Sequence, residues 1–504
     1  MIPLFTSKQI ADLDRLTMEE EGIDSTRLVE RAAAAFVDRY VQQYTPARRV
    51  YVFAGFGNNG ADALAIARLL LASGYSVYSY LFAPNGQLSP ACQAHRDRLV
   101  ELPFNGLTEI QNSFDPPAIE ADAVVLDGLF GTGLSRPLAG GFAALVNYIN
   151  TLDAEILAID IPSGLYAEDN SANLNNPIVR ANETYTFEQP KLCMLMAESA
   201  SFVGRFTVLE IGLSSEAKRQ LRSNHLLITP DDIRQMLHGR DRFVHKGLLG
   251  HGLIAAGSRG MMGAACLAAK AALRAGIGKL TLHVPKSGYE IAQIASPEAM
   301  CSQDEDADYI LDCPLKHRYN VVGIGPGLGN YPEGEAMLQK LLEQYRDPMV
   351  IDADAINMLG IYRNLLPLLP ARSILTPHAG ELHRLICYCE TSYERLAQAK
   401  AFAERHSVYL ILKGAYSACC MPDGNVVFNA TGNAGMATAG SGDVLFGILV
   451  GLLAQGYTSA EACILGMYLH GLAADCYVAE ESEETLLASD IIASLGRAFQ
   501  KARN

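Results

Sequence analysis

The sequence predicts two α/β domains in series, each a mostly parallel sheet with helices on both faces. Three observations carry that expectation. The chain has 504 residues, more than one ordinary domain uses. Short apolar runs alternate with stretches of helical period, the signature of βαβ units. Many of those runs end in glycine-rich or acidic loops, and ligands of open α/β sheets bind outside the carboxyl ends of the strands. With 49% hydrophobic and 19% charged residues, the chain can fill large cores.

In the first half, Arg49–Phe56 reads as a buried strand and Ala61–Ser73 as the helix that follows it. Val77–Phe82, Ala123–Asp127 and Ile156–Ile161 read as further strands. The turn Gly55-Phe56-Gly57-Asn58-Asn59-Gly60-Ala61-Asp62 is not GxGxxG, and no dinucleotide fingerprint follows it. Its asparagines offer carbonyl oxygens and amide donors, and Asp62 puts a carboxylate in the first helical turn. Asp127-Gly128-Leu129-Phe130-Gly131-Thr132-Gly133 and Asp160-Ile161-Pro162-Ser163-Gly164-Leu165 end two more strands. Three such loops on one sheet edge read as the rim of an active site. Asp127, Ser163 and an Asn carbonyl are hard oxygen donors that can hold a cation, and Asp160 suits proton transfer. Each aspartate taken alone fits a hydrogen-bonded strand cap as well.

The polar stretch GLSSEAKRQLRSNH, followed by the helix start Thr229-Pro230-Asp231-Asp232, places the domain join. The domains are read as 1–215 and 225–504. In the second, Gly252–Ala256, Lys279–Val284, Val321–Gly325, Met349–Asp352, Ser373–Thr376 and Val408–Lys413 are strand-like. Cys419–Met421 and Val426–Asn429 flank Pro422-Asp423-Gly424 and read as a hairpin. The richest segment is NATGNAGMATAGSGDVLFG, Asn429–Gly447. Gly440, Ser441 and Gly442 permit close backbone approach, and the helix after them aims its N–H groups and dipole at a ligand. With Asp443 alongside, this is an anion site with a carboxylate, suited to phosphate chemistry. His378 and His383 in HAGELH lack the HExxH spacing, so an imidazole satisfied in the fold or facing substrate is expected rather than zinc.

The net charge of −15 argues against generic binding to nucleic acid or anionic membrane, so phosphate must be gripped locally. The 11 cysteines include no CxxC pair, which fits a reducing cytoplasm with thiols used as small apolar residues. The opening MIPLFTSKQIADLDRL lacks the layout of a signal peptide. The longest apolar helical stretch, Val444–Ala454, is too short to span a bilayer.

GNNGAD, DGLFGTGLSRP, AIDIPSGL and TYTFEQPKLCML, in this order, resemble the N-terminal domain of the YjeF family. HKGLLGHGLIAAGS, GIGPGLG, DADAIN, LTPHAGE, LILKG and NAGMATAGSGDVLFG resemble its C-terminal domain. The resemblance implies a Rossmann-like three-layer domain with NAD(P)H-hydrate epimerase activity. A ribokinase-like domain that dehydrates (S)-NAD(P)H-hydrate with ADP or ATP would follow. It implies that Asn58, Asn59, Gly60, Ala61 and Asp62, with Gly131, Thr132, Gly133, Leu134, Ser135, Arg136 and Pro137, line the hydrated nucleotide. Asp160 would contact it at the epimerised carbon, and Asn59, Asp127 and Ser163 would hold K+. In the second domain, Ala264, Gly327, His378 and Asp443 would contact the hydrated nucleotide, with Asp443 as general base. Lys413, Gly414, Ala415, Tyr416, Ser417 and Gly442 would hold ADP or ATP, bound with Mg2+. The implied partners are NADHX, NADPHX and ADP or ATP in a cytoplasmic homo-oligomer, tetramer or larger, with no nucleic acid and no membrane. Where the family usually has Gly-Gly-Asp-Gly, this chain has Gly60-Ala61-Asp62-Ala63, and Met-Glu-Asn-Ala-Gly is here Val29-Glu30-Arg31-Ala32-Ala33. The usual Gly-Met-Gly-Asp is Gly440-Ser441-Gly442-Asp443. Without the N-terminal motifs, the phosphate loop would equally fit a sugar, vitamin or thiazole kinase.

Overall fold

The structure, a computed structural model, describes every residue from Met1 to Asn504. The chain forms two compact units. One comprises Pro3–Ser223 and Thr391–Tyr393; the other comprises Met1–Ile2, Asn224–Glu390 and Glu394–Asn504. Met1 joins the second unit through its ammonium group, 2.5 Å from Asp232.

The first unit is built on seven strands. They are β1 (Val50–Ala54), β2 (Val77–Phe82), β3 (Leu107–Ile110), β4 (Val124–Gly128), β5 (Glu155–Ile159), β6 (Glu183–Phe187) and β7 (Arg205–Leu209). Their order in the sheet is β3-β2-β1-β4-β5-β6-β7, all parallel. The order reverses between β1 and β4, which opens a crevice at their carboxyl ends. Alternation sorts the side chains. Val50, Val52 and Ala54 pack under helices α1 (Ser7–Glu21), α2 (Ser25–Gln43), α3 (Asn58–Ala72) and α4 (Pro90–Val100). Tyr51 and Phe53 point to the other face, towards α5 (Gly140–Ile149). The α3 N-terminus lies hard against the end of β1. A Cβ on Gly60 would stand 1.7 Å from the Gly55 carbonyl oxygen, so only glycine fits.

The second unit holds β8 (His225–Leu227), β9 (His251–Ala255), β10 (Lys279–Val284), β11 (Met300–Gln303), β12 (Val321–Ile324) and β13 (Met349–Ile351). β14 (Ile374–Leu375), β15 (Tyr409–Leu412), β16 (Ala418–Cys420) and β17 (Val426–Phe428) complete the series. The sheet runs β8-β17-β16-β15-β14-β13-β12-β9-β10-β11, with the short N-terminal strand Ile2–Pro3 beside β8. The stretch from β15 to β11 is parallel, and β16–β17 is an antiparallel hairpin, as the Pro-Asp-Gly turn predicts.

Against the sheet lie α6 (Met262–Arg274), α9 (Ser441–Ala454), α10 (Ser459–Val478) and α11 (Ala488–Arg503), with α7 (Ala353–Ile361) and α8 (Ala379–Leu385) elsewhere in the unit. Every side chain of α9 from Val444 to Ala454 is buried, which explains its unbroken apolar run: it is a core helix. Helices α6 and α9 touch backbone to backbone, since a Cβ on Gly447 would meet the Ala268 carbonyl at 2.2 Å. No helix is long and apolar enough to cross a membrane.

The strands read from the sequence are present with ends moved by at most two residues. β3, β6, β7, β8 and β11 lie outside those readings. They are short or carry polar residues such as the Thr184 and Thr186 of β6, so apolar periodicity does not reveal them.

Candidate active sites

The crevice at the β1/β4 switch deepens into a cavity of about 560 Å³. Its walls come from the loops after β1, β4, β5 and β6, the start of α3, and one face of α1 and α2. Of the residues expected there, Asn58, Asn59, Asp62, Gly131, Thr132, Gly133, Leu134, Arg136 and Asp160 line it. Gly60, Ala61, Ser135 and Pro137 are not on its wall. Ala61 and Ala63 are wholly buried in the core, so their methyl groups fill packing space rather than the cavity. Arg31, the other departure in this domain, pairs with Glu21 and donates to the carbonyls of Ile211 and Gly212 at 3.3 and 3.0 Å. The N-terminus of α3 carries no side-chain cap, whereas Thr6, Asp24 and Ser89 cap α1, α2 and α4. Its free N–H groups therefore suit an anion at the cavity wall.

Behind this wall, Asp127, Ser163 and Asn59 converge. Ser163 donates its hydroxyl to Asp127 Oδ1 at 2.6 Å and its backbone N–H to Oδ2 at 2.7 Å. The Phe130 N–H donates to Ser163 Oγ at 2.9 Å, and Asn59 Nδ2 donates to the Phe130 carbonyl at 3.0 Å. Asp127 is fully buried with no cationic partner. Burial lifts its pKa to about 6 against the pull of those hydrogen bonds. A buried, uncompensated carboxylate among oxygen donors is a fitting set for a hard monovalent cation.

Asp160 stands at the end of β5 with φ of 66°. Its carboxylate meets a lysine that the sequence reading did not single out. Lys191, 2% exposed, donates to Asp160 Oδ1 at 2.5 Å, Thr186 Oγ1 at 2.8 Å and the Phe187 carbonyl at 3.1 Å. Phe187 N–H also donates to Asp160 Oδ1, at 3.0 Å. The only signal for Lys191 in the sequence is a lone cation in the apolar run Gln189–Leu195.

In the second unit, the loops after β9, β12, β13, β14 and β15 gather at the carboxyl ends of the parallel strands. Gly440 takes φ of 87° to turn the chain into α9, whose N-terminus has no side-chain cap. Lys413, at the end of β15, donates to Asp352 Oδ1 at 2.8 Å and stands 3.2 Å from where a Gly442 Cβ would be. Asp443 is raised to about 6, first by burial and then by Asp352, with Lys413 pulling back and Asp354 and Glu381 adding smaller pushes. Ala264 and Gly327 are neighbours: a Cβ on Gly327 would lie 3.2 Å from the Ala264 methyl. His378 caps α8. Its Nδ1 accepts from the N–H of Gly380 at 3.0 Å and of Glu381 at 3.4 Å, while Nε2 lies 3.1 Å from Glu381 Oε1. The residues after Lys413 form a turn in which Ser417 Oγ donates to the Gly414 carbonyl at 3.1 Å. Asp352 and Glu381 belong to this cluster although only their motifs, not their roles, were read from the sequence.

A family model described as NAD(P)H-hydrate dehydratase matches residues 252–497. A second, described as YjeF-related protein N-terminus, matches residues 25–193. The chain is 36% identical to the bifunctional NAD(P)H-hydrate repair enzyme Nnr of Moorella thermoacetica, covering 97% of this chain and 95% of that protein. It is 32% identical to the enzyme of the same name from Escherichia coli K12, over 97% of this chain and 91% of that one. A solved ADP/ATP-dependent NAD(P)H-hydrate dehydratase from Bacillus subtilis, co-crystallised with ATP/Mg2+, is 30% identical. It covers 55% of this chain and 98% of its own, with a TM-score of 0.49. Identity sustained through both units, in the same order along the chain, makes this protein a member of the bifunctional NAD(P)H-hydrate repair enzyme family.

Proposed function

We propose that the chain repairs hydrated NADH and NADPH in two steps. The first unit interconverts the R and S hydrates, and the second dehydrates the S form. ADP or ATP is consumed, and AMP or ADP and phosphate are released. The observation that carries the second step is Asp443 in the first turn of an uncapped helix, with the Lys413 ammonium beside Gly442. Hydroxide is a poor leaving group, and phosphate is a good one. Asp443 takes the proton of the substrate hydroxyl as that oxygen attacks the terminal phosphoryl group. The N–H groups from Gly440 to Gly442 face the charge that moves, and Lys413 holds it in place. Loss of phosphate then restores the ring. Mg2+ bound with the nucleotide would supply positive charge to its phosphates. Ala264, Gly327 and His378 position the hydrated nucleotide, and the 414–417 turn positions the adenine nucleotide.

In the first unit, Asn59, Asp127 and Ser163 would hold K+, a reading supported by the buried carboxylate and its oxygen neighbours. A bound cation there supplies positive charge behind the cavity wall. Asp160 contacts the epimerised carbon, and the 58–62 and 131–137 loops hold the nucleotide. The working form is a cytoplasmic homo-oligomer. The test is racemic NADHX with excess ADP and the purified chain, followed by NADH absorbance. Full, rapid recovery is expected. A stable phosphorylated product would point to the kinase alternative, and recovery that needs no ADP would overturn the phosphoryl-transfer step.

A further inference from the structure

α1 precedes the stretch matched by the YjeF-related family model, which begins at residue 25. It nevertheless supplies a wall of the first cavity. Ser7, Ile10, Ala11, Leu13, Asp14 and Met18 line it, while Thr17 turns into the core. Asp14 is the one charged group among them. Its carboxyl makes no hydrogen bond or ion pair with the protein, although Asp12, one turn face away, lies near Arg15. The charged groups around the cavity are Asp62 on α3, Asp160 after β5, Glu188 and Lys191 after β6, and Arg136 after β4. Asp160 is held by Lys191, and Glu188 by Lys218. Asp14 and Asp62 have no such partner. Burial, then the charge of Asp160, lifts Asp14 to about 7, with Lys191 pulling back and Glu188 adding a little. The cavity therefore holds one carboxylate fixed beside an ammonium and a carboxyl, Asp14, that keeps its proton near neutrality, while burial, then the charges of Asp160 and Asp14, push Asp62 up as well.

We propose that Asp14 is a catalytic acid–base group of the epimerase, moving the proton to and from the hydroxyl that changes faces. This rests on the epimerase reading of the first unit. Inverting the carbon that bears the hydroxyl, next to the ring nitrogen, requires that oxygen to leave from one face and water to add to the other. Protonated Asp14 gives its proton to the hydroxyl oxygen. The carbon–oxygen bond breaks with both electrons going to oxygen, and water departs. The ring nitrogen lone pair forms a carbon–nitrogen double bond, leaving the ring cationic beside Asp160. A solvent water adds its lone pair to the same carbon from the opposite face, and the double-bond pair returns to nitrogen. The proton shed by that water is taken by Asp160, and Asp14 is reprotonated through solvent in the cavity. An acid on one side and a base on the other, exchanging a proton through solvent, serve both directions, which a reversible epimerisation needs.

The experiment uses the full chain with Asp14→Asn and Asp14→Glu, racemic NADHX and excess ADP. A parallel assay on the separated S hydrate isolates the second unit. Asp14→Asn is expected to recover half of the NADH at the unmutated rate. The other half should appear at least on the order of 100-fold more slowly than in the unmutated chain. Asp14→Glu should restore part of that rate. In the unmutated chain, epimerisation should fall above about pH 7 as Asp14 loses its proton. In Asp14→Asn that limb should vanish. A second half recovered by Asp14→Asn within about threefold of the unmutated rate would overturn the role. If the substitution unfolds the first unit, the unmutated profile decides: a rate flat between about pH 6 and about pH 9 overturns the proposal. If the unmutated chain itself stops at half recovery, the epimerase reading fails instead.

Discussion

Each sheet brings one lysine to one aspartate where its strands end, and the two pairs differ in what the lysine has left to give. Lys191 is 2% exposed and spends its donors inside the protein, on Asp160, Thr186 and the carbonyls of Phe187 and Gln189. Lys413 is 23% exposed and has one protein partner, Asp352. A fully satisfied ammonium fixes a carboxylate; one with spare donors can receive a phosphate. The first site thus suits proton transfer inside a walled cavity. The second suits a phosphoryl group met by open backbone amides.

The largest effect should come from the phosphoryl side. Asp443→Asn is expected to cut dehydration of the S hydrate by about 10² to 10⁴-fold, the usual worth of a placed base, with epimerisation unchanged. The base works only when ionised, so the unmutated dehydration rate should fall as pH drops below about 6. Asp443→Asn should lack that limb. Turnover near that of the unmutated chain would remove Asp443 from the role.

The buried pair should report on stability instead. Lys191→Met leaves the Asp160 carboxylate in place without its ammonium, which costs about 3–5 kcal/mol when a buried partner is lost. Urea unfolding should show the first unit melting earlier while the second holds its midpoint. The comparison sharpens with Lys413→Met, which strands the buried Asp352 carboxylate without its ion-pair partner and should destabilise the second unit as well. It should also raise the KM for ADP, which Lys191→Met should leave unchanged. An unchanged KM for ADP in Lys413→Met would erase the distinction between fixing and receiving.

How much of this was legible follows the same division. The second site is written in consecutive residues: Gly440, Ser441, Gly442 and Asp443 carry the turn, the amides and the base in one loop. The first is assembled across the sheet. Asp160 was readable at its strand end, but Lys191 comes from a motif that shows only one cation among apolar residues. Asp14 lies on a helix whose period reveals a buried face without saying what that face covers. The same limit applies to strands. β1 and β10 announce themselves by buried apolar runs, whereas β6 reads Glu-Thr-Tyr-Thr-Phe and is buried as a central strand with its hydroxyls bonded.

A smaller effect separates the sites by ion. Replacing K+ with tetramethylammonium at equal ionic strength should slow epimerisation on the order of tenfold and leave ADP-dependent loss of the S hydrate unchanged. A bulky organic cation cannot enter the space between Asn59, Asp127 and Ser163, where hydrogen bonds of 2.6 to 2.9 Å already hold Asp127 and Ser163. Parallel loss of both activities would mean that the salt acts on the whole chain.

The smallest expected effect concerns Ser441, where this chain departs from the usual methionine of the loop. The side chain does not face the ligand loop. It is buried, and its hydroxyl lies 3.3 Å from Nε2 of His470 on α10. Burial holds that imidazole down to about 4, so it is neutral and needs a partner at Nε2. Ser441→Ala removes the partner and should cost about 1–2 kcal/mol, the penalty of an unsatisfied buried group. Because the amides of Gly440 and Gly442 are untouched, kcat and the KM for ADP should stay within about twofold. His470 binds no proton in the folded state at a pH where the unfolded imidazole does. Stability carried by its neutral form is therefore lost as pH falls from the ordinary histidine range towards about 4. A large loss of kcat with unchanged stability would place the Ser441 hydroxyl on the moving phosphoryl group, and the loop would then be more than backbone.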